Sequence, residues 1–257
     1  MQSSWRTRNS GKLHVTQIMD FYEALKNGIF TQYTLSGFNR QGLGNMKPET
    51  FPVPEEIVPV SAETDPLVLE NNVGRLAENA REMGAAKAAV ISPEDIVFDE
   101  SLPETMRADD ALPSIHWPPA YPLDNLKDAL MSFRRGIFLY IRAEPGMPDY
   151  GGGPIDDPVH RDCYRKLHEI VTAIESRSFY MGHYLAMGFA AGNCRSIFCA
   201  DADRCIAMTR SKPCKEPYKS RPSMAAAGMD ALQMFRNAGW PPDVLKGPLL
   251  AGMVMVA

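Results

Sequence analysis

Apolar residues recur every three or four positions in four stretches of the chain, and each such stretch predicts a helix. The first covers residues 15–26 and stops near Gly28. The second begins at Asp65-Pro66, with Asp as N-cap and Pro in the first helical position, and continues through Leu67, Leu69, Val73, Leu76, Ala80 and Met83 to Gly84. The third covers residues 123–133. The fourth repeats the Asp-Pro start at Asp157-Pro158, and its stripe of Val159, Cys163, Leu167, Ile170, Val171 and Ile174 predicts a long helix to about Met187. Shorter helical segments are expected over 223–227 and, capped by Asp230 and stopped by Gly239, over 231–238.

Continuous apolar runs predict strands. Residues 136–142, Gly-Ile-Phe-Leu-Tyr-Ile-Arg, and 249–256 are the clearest, and the first reads as a central strand covered on both faces. Weaker strands are expected over 30–35, 88–91 and 95–98. Residues 37–66 show no period and are rich in Gly, Pro, Asn and Glu, which reads either as an extended arm or as a solvated loop. Residues 99–122 also read as irregular. The alternation predicts an α/β fold, a small sheet with packed helices. It has an N-terminal helix and extended arm over 1–66 and a core domain over 67–257.

The length of 257 residues, with 45% hydrophobic, supports a sizeable core, and the net charge of −4 gives no general case for nucleic acid. No apolar run is long enough to span a membrane, and the N-terminus has no signal-peptide pattern. A cytoplasmic protein with reduced thiols is expected, and clustered cysteines there more often hold metal than form disulfides.

Four of the five cysteines, Cys194, Cys199, Cys205 and Cys214, fall in one segment, which Gly188 and Gly192 release from the preceding helix. Four thiolates complete either a tetrahedral zinc site or a cubane. Structural zinc favours tight C-x2-C pairs, whereas this spacing is C-x4-C-x5-C-x8-C. The wide gaps favour a [4Fe–4S] cluster, with zinc as the alternative. Arg195, Arg204, Arg210, Lys212, Lys215, Lys219 and Arg221 outnumber Asp201, Asp203 and Glu216 here. Such a basic surround offsets the negative charge of a thiolate-ligated centre and suits an acidic partner.

Other candidates carry a blander reading beside the functional one. Cys163 sits on its helix's apolar stripe and reads as core. His160 and His168 share a helix side and could line a substrate pocket, though core or solvent roles are commoner. His183 is the reserve ligand. Gly151-Gly152-Gly153 precedes a helix and could seat an anion, but it lacks the known phosphate-loop spacings. The fifteen methionines read as core filler. No Ser-His-Asp order or carboxylate pair supports a hydrolase. The favoured function is electron transfer, as an accessory subunit or partner of a larger redox enzyme. A structural zinc scaffold and a cluster-containing enzyme are the alternatives.

Gly192-Asn193-Cys194, Arg221-Pro222-Ser223-Met224 and Gly228-Met229-Asp230 together resemble a family of uncharacterised bacterial and archaeal proteins described as predicted metal-binding. The likeness covers about residues 85–250. It implies metal binding through the cysteine segment and no particular activity. His116-Trp117-Pro118-Pro119 stands where the family has a Cys-Pro-Pro segment, so Trp117 replaces a thiol. The first cysteine pair is also wider than the family's, and Ala225 replaces an acidic residue.

Overall fold

A computed structural model describes residues 65–99, 101–102, 123–147, 155, 157–202, 205–206, 214–240 and 247–257. The expected N-terminal helix, the strand at 30–35, the arm up to residue 64, the Trp117 segment and Gly151–Gly153 lie outside these residues. The described residues all fall within the compact unit Pro54–Ala257.

The secondary elements, in chain order, are α1 (Pro66–Glu82), β1 (Lys87–Ile91), α2 (Leu123–Met131), β2 (Arg135–Arg142), α3 (Pro158–Tyr180), β3 (Ala186–Phe189), α4 (Cys194–Phe198), α5 (Ala231–Asn237) and β4 (Leu249–Val256), with short 3-10 turns at Pro93–Asp95 and Ala225–Ala227. The strands form one antiparallel sheet in the order β1-β2-β4-β3. The fold is α/β, as the alternating pattern predicts, and β2 lies inside the sheet.

The sheet is covered on both faces, which is why β2 and β4 carry uninterrupted apolar runs. Ile137, Leu139 and Ile141 of β2 and Leu250, Val254 and Val256 of β4 share a core with α1 and α3. The alternate residues Phe138, Tyr140, Leu249, Met253 and Met255 share a second core with Phe189, Met224, Met229, Met234 and Phe235. Trp240 stacks on Phe138 there, with ring centroids 5.2 Å apart. Much of the methionine content is thus core filler, as expected.

The predicted helix starts hold. The carboxylates of Asp65 and Asp157 accept the backbone N–H groups of Leu67 and Val159, each at 2.7 Å, and Asp230 accepts that of Gln233 at 2.9 Å. Each cap contributes about 1 kcal/mol.

Two expectations fail. The helix predicted to run to Met187 ends at Tyr180. Gly182 takes a positive φ of 93° just beyond it, and the chain re-enters the sheet as β3, paired with β4. Gly188 is therefore a strand residue rather than a helix exit. The strand predicted over 95–98 is instead a 3-10 turn closed by the Asp95 carboxylate on the Ser92 N–H, followed by a single bridge from Phe98 to Met229.

Glycines let α3 lie close across the sheet. A side chain at Gly188 would stand 2.7 Å from Val171 Cγ1, and one at Gly252 would stand 2.8 Å from Val171 Cγ2. Val171 therefore seats between the two strands that carry these glycines, and α3 is fixed directly beneath the end of β3 from which the cysteine segment leaves. Among the described residues no helix is long and apolar enough to cross a membrane.

Candidate metal centre

The cysteine segment leaves the frame at Gly192. Its φ of 78° suits glycine, and a β-carbon there would meet the Tyr164 ring at 2.7 Å. Asn193 then caps α4, its side chain accepting the Arg195 N–H at 2.9 Å. Cys194 is the first residue of α4 and Cys199 its C-cap, so the first two cysteines sit on a short helix instead of an open loop. Fully buried Ile197 anchors α4 against the core, and Arg165 of α3 donates to its carbonyl at 3.2 Å.

The segment returns along the same edge. Ala190 donates to the Pro222 carbonyl at 2.8 Å, and Met224 donates to the Ala190 carbonyl at 2.9 Å, a short parallel ladder that pins entry to exit. This gives physical content to Arg-Pro-Ser-Met. Arg221 reaches Glu175 on α3, Nε to Oε2 at 2.5 Å, with little exposure of either side chain. Pro222 supplies the ladder carbonyl. Ser223, buried, accepts the Ala226 N–H at 3.0 Å, and Met224 fills the second core. In Gly-Met-Asp, Gly228 takes the left-handed conformation at φ 78° and accepts from the Asp99 N–H, while Asp230 caps α5.

His168 ties both strands of this ladder to α3. Its ring is fully buried, Nδ1 accepts the Arg221 N–H, and Nε2 lies 3.2 Å from the Ala191 carbonyl. An acceptor on one side and a carbonyl on the other require the neutral tautomer with hydrogen on Nε2. Burial holds its pKa down to about 4, the Ala191 and Lys219 backbone bonds opposing this and the Arg221 charge adding to it. With both nitrogens committed, His168 is a clasp and has no free nitrogen for a substrate. An open groove of about 560 Å³ runs beside α3, but neither His160 nor His168 is among its lining residues Met83, Asp162, Arg165, Lys166, Glu169 and Ile170. His183 is also misplaced as a ligand. It lies before β3, at the strand end opposite the cysteines, buried with Nε2 3.1 Å from Asn72 Nδ2. Cys163 packs against the first core.

Cys194, Cys199, Cys205 and Cys214 all line one small cavity of about 30 Å³, together with Arg195, Phe198, Ala202, Ile206, Lys215, Glu216 and Ser220. No disulfide joins any of them. Burial pushes the Cys194 thiol up to about 12, with Cys214, Cys205 and Cys199 adding in that order. The Cys199 thiol is raised by burial first and then by Cys214, Glu216 and Cys205, while Lys215 pulls it down. Four thiols lining one space, with Cys194 and Cys199 raised by burial and by their neighbours, are a donor set that a thiophilic cation relieves, each thiol giving up its proton on ligation. Among the described residues no three His, Cys, Asp or Glu side chains are gathered tightly enough to hold a metal ion as they stand. The set therefore fits a thiolate-bound centre in chemistry and location, while ligation requires the sulfurs to rearrange around it.

The basic surround is partly spent elsewhere. Arg221 is committed to Glu175 and to the Pro217 and Ser220 carbonyls, and Lys219 pairs with Glu216 at 3.1 Å. Glu175 is distant in sequence, so a charge count along the cysteine segment misses it. Ser220 was missed too. It is 3% exposed and lines the thiol cavity, but a lone serine beyond the last cysteine carries no spacing signal.

No curated protein and no solved structure matches the chain. A family model described as predicted metal-binding protein matches residues 89–256. The match takes in all four cavity cysteines, the entry–exit ladder and β2 through β4, so the chain belongs to the family of predicted metal-binding proteins known as DUF2284.

Proposed function

We propose that this protein is an iron–sulfur protein in which Cys194, Cys199, Cys205 and Cys214 hold one [4Fe–4S] cluster. It transfers electrons in a reducing compartment as an accessory subunit or partner of a larger redox enzyme. The carrying observation is that four cysteines at wide sequence spacing line one cavity. A cubane takes one thiolate at each of four corners, so its ligands stand further apart than those of a single ion. The cluster, when bound, supplies one-electron chemistry. The chain's own residues hold it, sheathe it with Phe198, Ala202 and Ile206, and place Lys215 beside Cys199. The basic surplus of the segment favours an acidic partner surface.

Protein isolated without oxygen should contain about four irons per chain and show a broad visible absorbance that bleaches on reduction. Colourless protein with one zinc per chain overturns this reading.

One observation favours zinc. The cavity is small, about 30 Å³, so a single ion enters with less displacement than a cubane does. Under this second reading the centre is structural, and the protein acts as a scaffold or assembly subunit. Elemental analysis separates the two readings directly.

A further inference from the structure

We propose that Ser220 is a positioning residue for the metal centre, donating its hydroxyl hydrogen to the Cys214 sulfur once that sulfur is a ligand. The inference rests on the cluster reading and adds a residue that tunes it. Ser220 is buried, and its Oγ lies 3.7 Å from Cys214 Sγ. The backbone N–H of Glu216 already points at the same sulfur, at 3.4 Å. Between them the sulfur has one backbone donor and one hydroxyl within reach.

The hydroxyl hydrogen is at present turned to the Glu216 carbonyl, at 3.0 Å. That carbonyl also accepts the backbone N–H groups of Lys219 at 3.2 Å and Ser220 at 3.0 Å. A carbonyl oxygen has two lone pairs, so two backbone donors satisfy it and the hydroxyl bond is surplus. Rotation about the Ser220 side-chain bond then costs little. In the metal-free pair either group can be the donor. The ligated thiolate has no hydrogen and is a strong acceptor, so the hydroxyl gains by turning to sulfur. The Glu216–Ser220 turn that presents the hydroxyl is held by its own N–H bonds.

Hydrogen bonds to a ligand sulfur stabilise negative charge on it, and the reduced cluster carries more of that charge. The Ser220 bond therefore strengthens on reduction and raises the potential. Ser220→Ala should keep about four irons per chain. At a fixed applied potential, its ratio of reduced to oxidised cluster should fall about tenfold, the size expected for one bond to a charged group, or about 59 mV for a one-electron couple. Ser220→Thr keeps the hydroxyl and should stay at the wild-type potential. Equal potentials in wild type and Ser220→Ala at full iron content overturn the proposal, as does a Ser220→Thr shift as large as that of Ser220→Ala. If Ser220→Ala does not fold, electron–nuclear double resonance on the reduced wild-type protein in heavy water decides. A second coupled proton that exchanges faster than the Glu216 N–H on the same sulfur supports the bond, and finding only the slower amide proton overturns it. If iron analysis of the wild type fails, the cluster reading falls separately, and cobalt-loaded protein tests Ser220 instead. The sulfur-to-cobalt charge-transfer band should shift in Ser220→Ala, and an unmoved band overturns the proposal.

Discussion

The sheet with α1 and α3 and the cysteine segment beside it are held by different forces. The frame is fixed by apolar burial. Leu167, Val171 and Ile174 of α3 are fully buried, and so are Ile137, Leu139, Leu250 and Val254 or nearly so. Among the described residues of the cysteine segment, the fully buried apolar anchor is Ile197. The two ends of the segment are fastened by polar contacts to α3: His168 on Ala191 and Arg221, Glu175 on Arg221, and Arg165 on Ile197. α3, secured by its own core, thus serves as a bench to which both ends of the cysteine segment are tied.

Breaking the bench should have the largest effect. Leu167→Ala removes a fully buried side chain facing Gly252 and should cost about 4 kcal/mol of global stability, read as a lower urea midpoint at unchanged slope. The loss should be similar in metal-loaded and chelator-treated protein. A loss confined to loaded protein would contradict the division between frame and segment.

Arg221→Met attacks the clasp. Burial pushes the Glu175 carboxyl up, and Arg221 pulls it back down. Without the guanidinium, a buried carboxylate stays uncompensated, at a cost of about 3 kcal/mol. Adding Glu175→Gln should return much of that stability, because the buried charge is gone, but not the metal affinity, because the tether is still cut. Full recovery of metal binding in the double variant would show that the pair serves stability alone.

The division also explains what the sequence discloses. The frame was readable because its signals are local. Asp-Pro starts mark α1 and α3, and the uninterrupted runs of β2 and β4 reflect burial on two faces. β3 was not readable. Four residues, Ala186–Phe189, carry too little pattern, and their strand state depends on pairing with β4, more than sixty residues on. The preceding helix consequently read too long. At the site, the cysteines and Arg-Pro-Ser-Met were visible as a pattern, yet their reasons were not. Glu175 meets Arg221 only because α3 passes under the exit of the segment, and His168 reads equally as a core, solvent or pocket histidine until Ala191 and Arg221 close on it. Gly-Asn-Cys and Arg-Pro-Ser-Met, which carry the likeness to the family, make the ladder and clasp beside the thiols. Ser220 had no pattern at all, since its relation to Cys214 is made by the turn between them.

The smallest effect near neutral pH comes from His168, and it separates clasp from bench without a substitution. Its folded pKa of about 4 lies below the ordinary 6.5, so the unfolded chain binds the proton more tightly than the folded one. The stability tied to its neutral form is fully present above pH 6.5 and is lost as pH falls through the window to about 4. At a pH about one unit below the unfolded value the loss is about 1.4 kcal/mol. Protonation adds a hydrogen to Nδ1, which then cannot accept the Arg221 N–H, so the contact that fails first is the one holding the exit of the cysteine segment. Hydrogen exchange across this window should therefore quicken at Arg221 and Ala190 before it quickens at β2 and β4. His168→Phe should flatten the pH dependence of stability between about pH 4 and 6.5. A slope unchanged by that substitution would assign the acid sensitivity to another group and reduce His168 to packing.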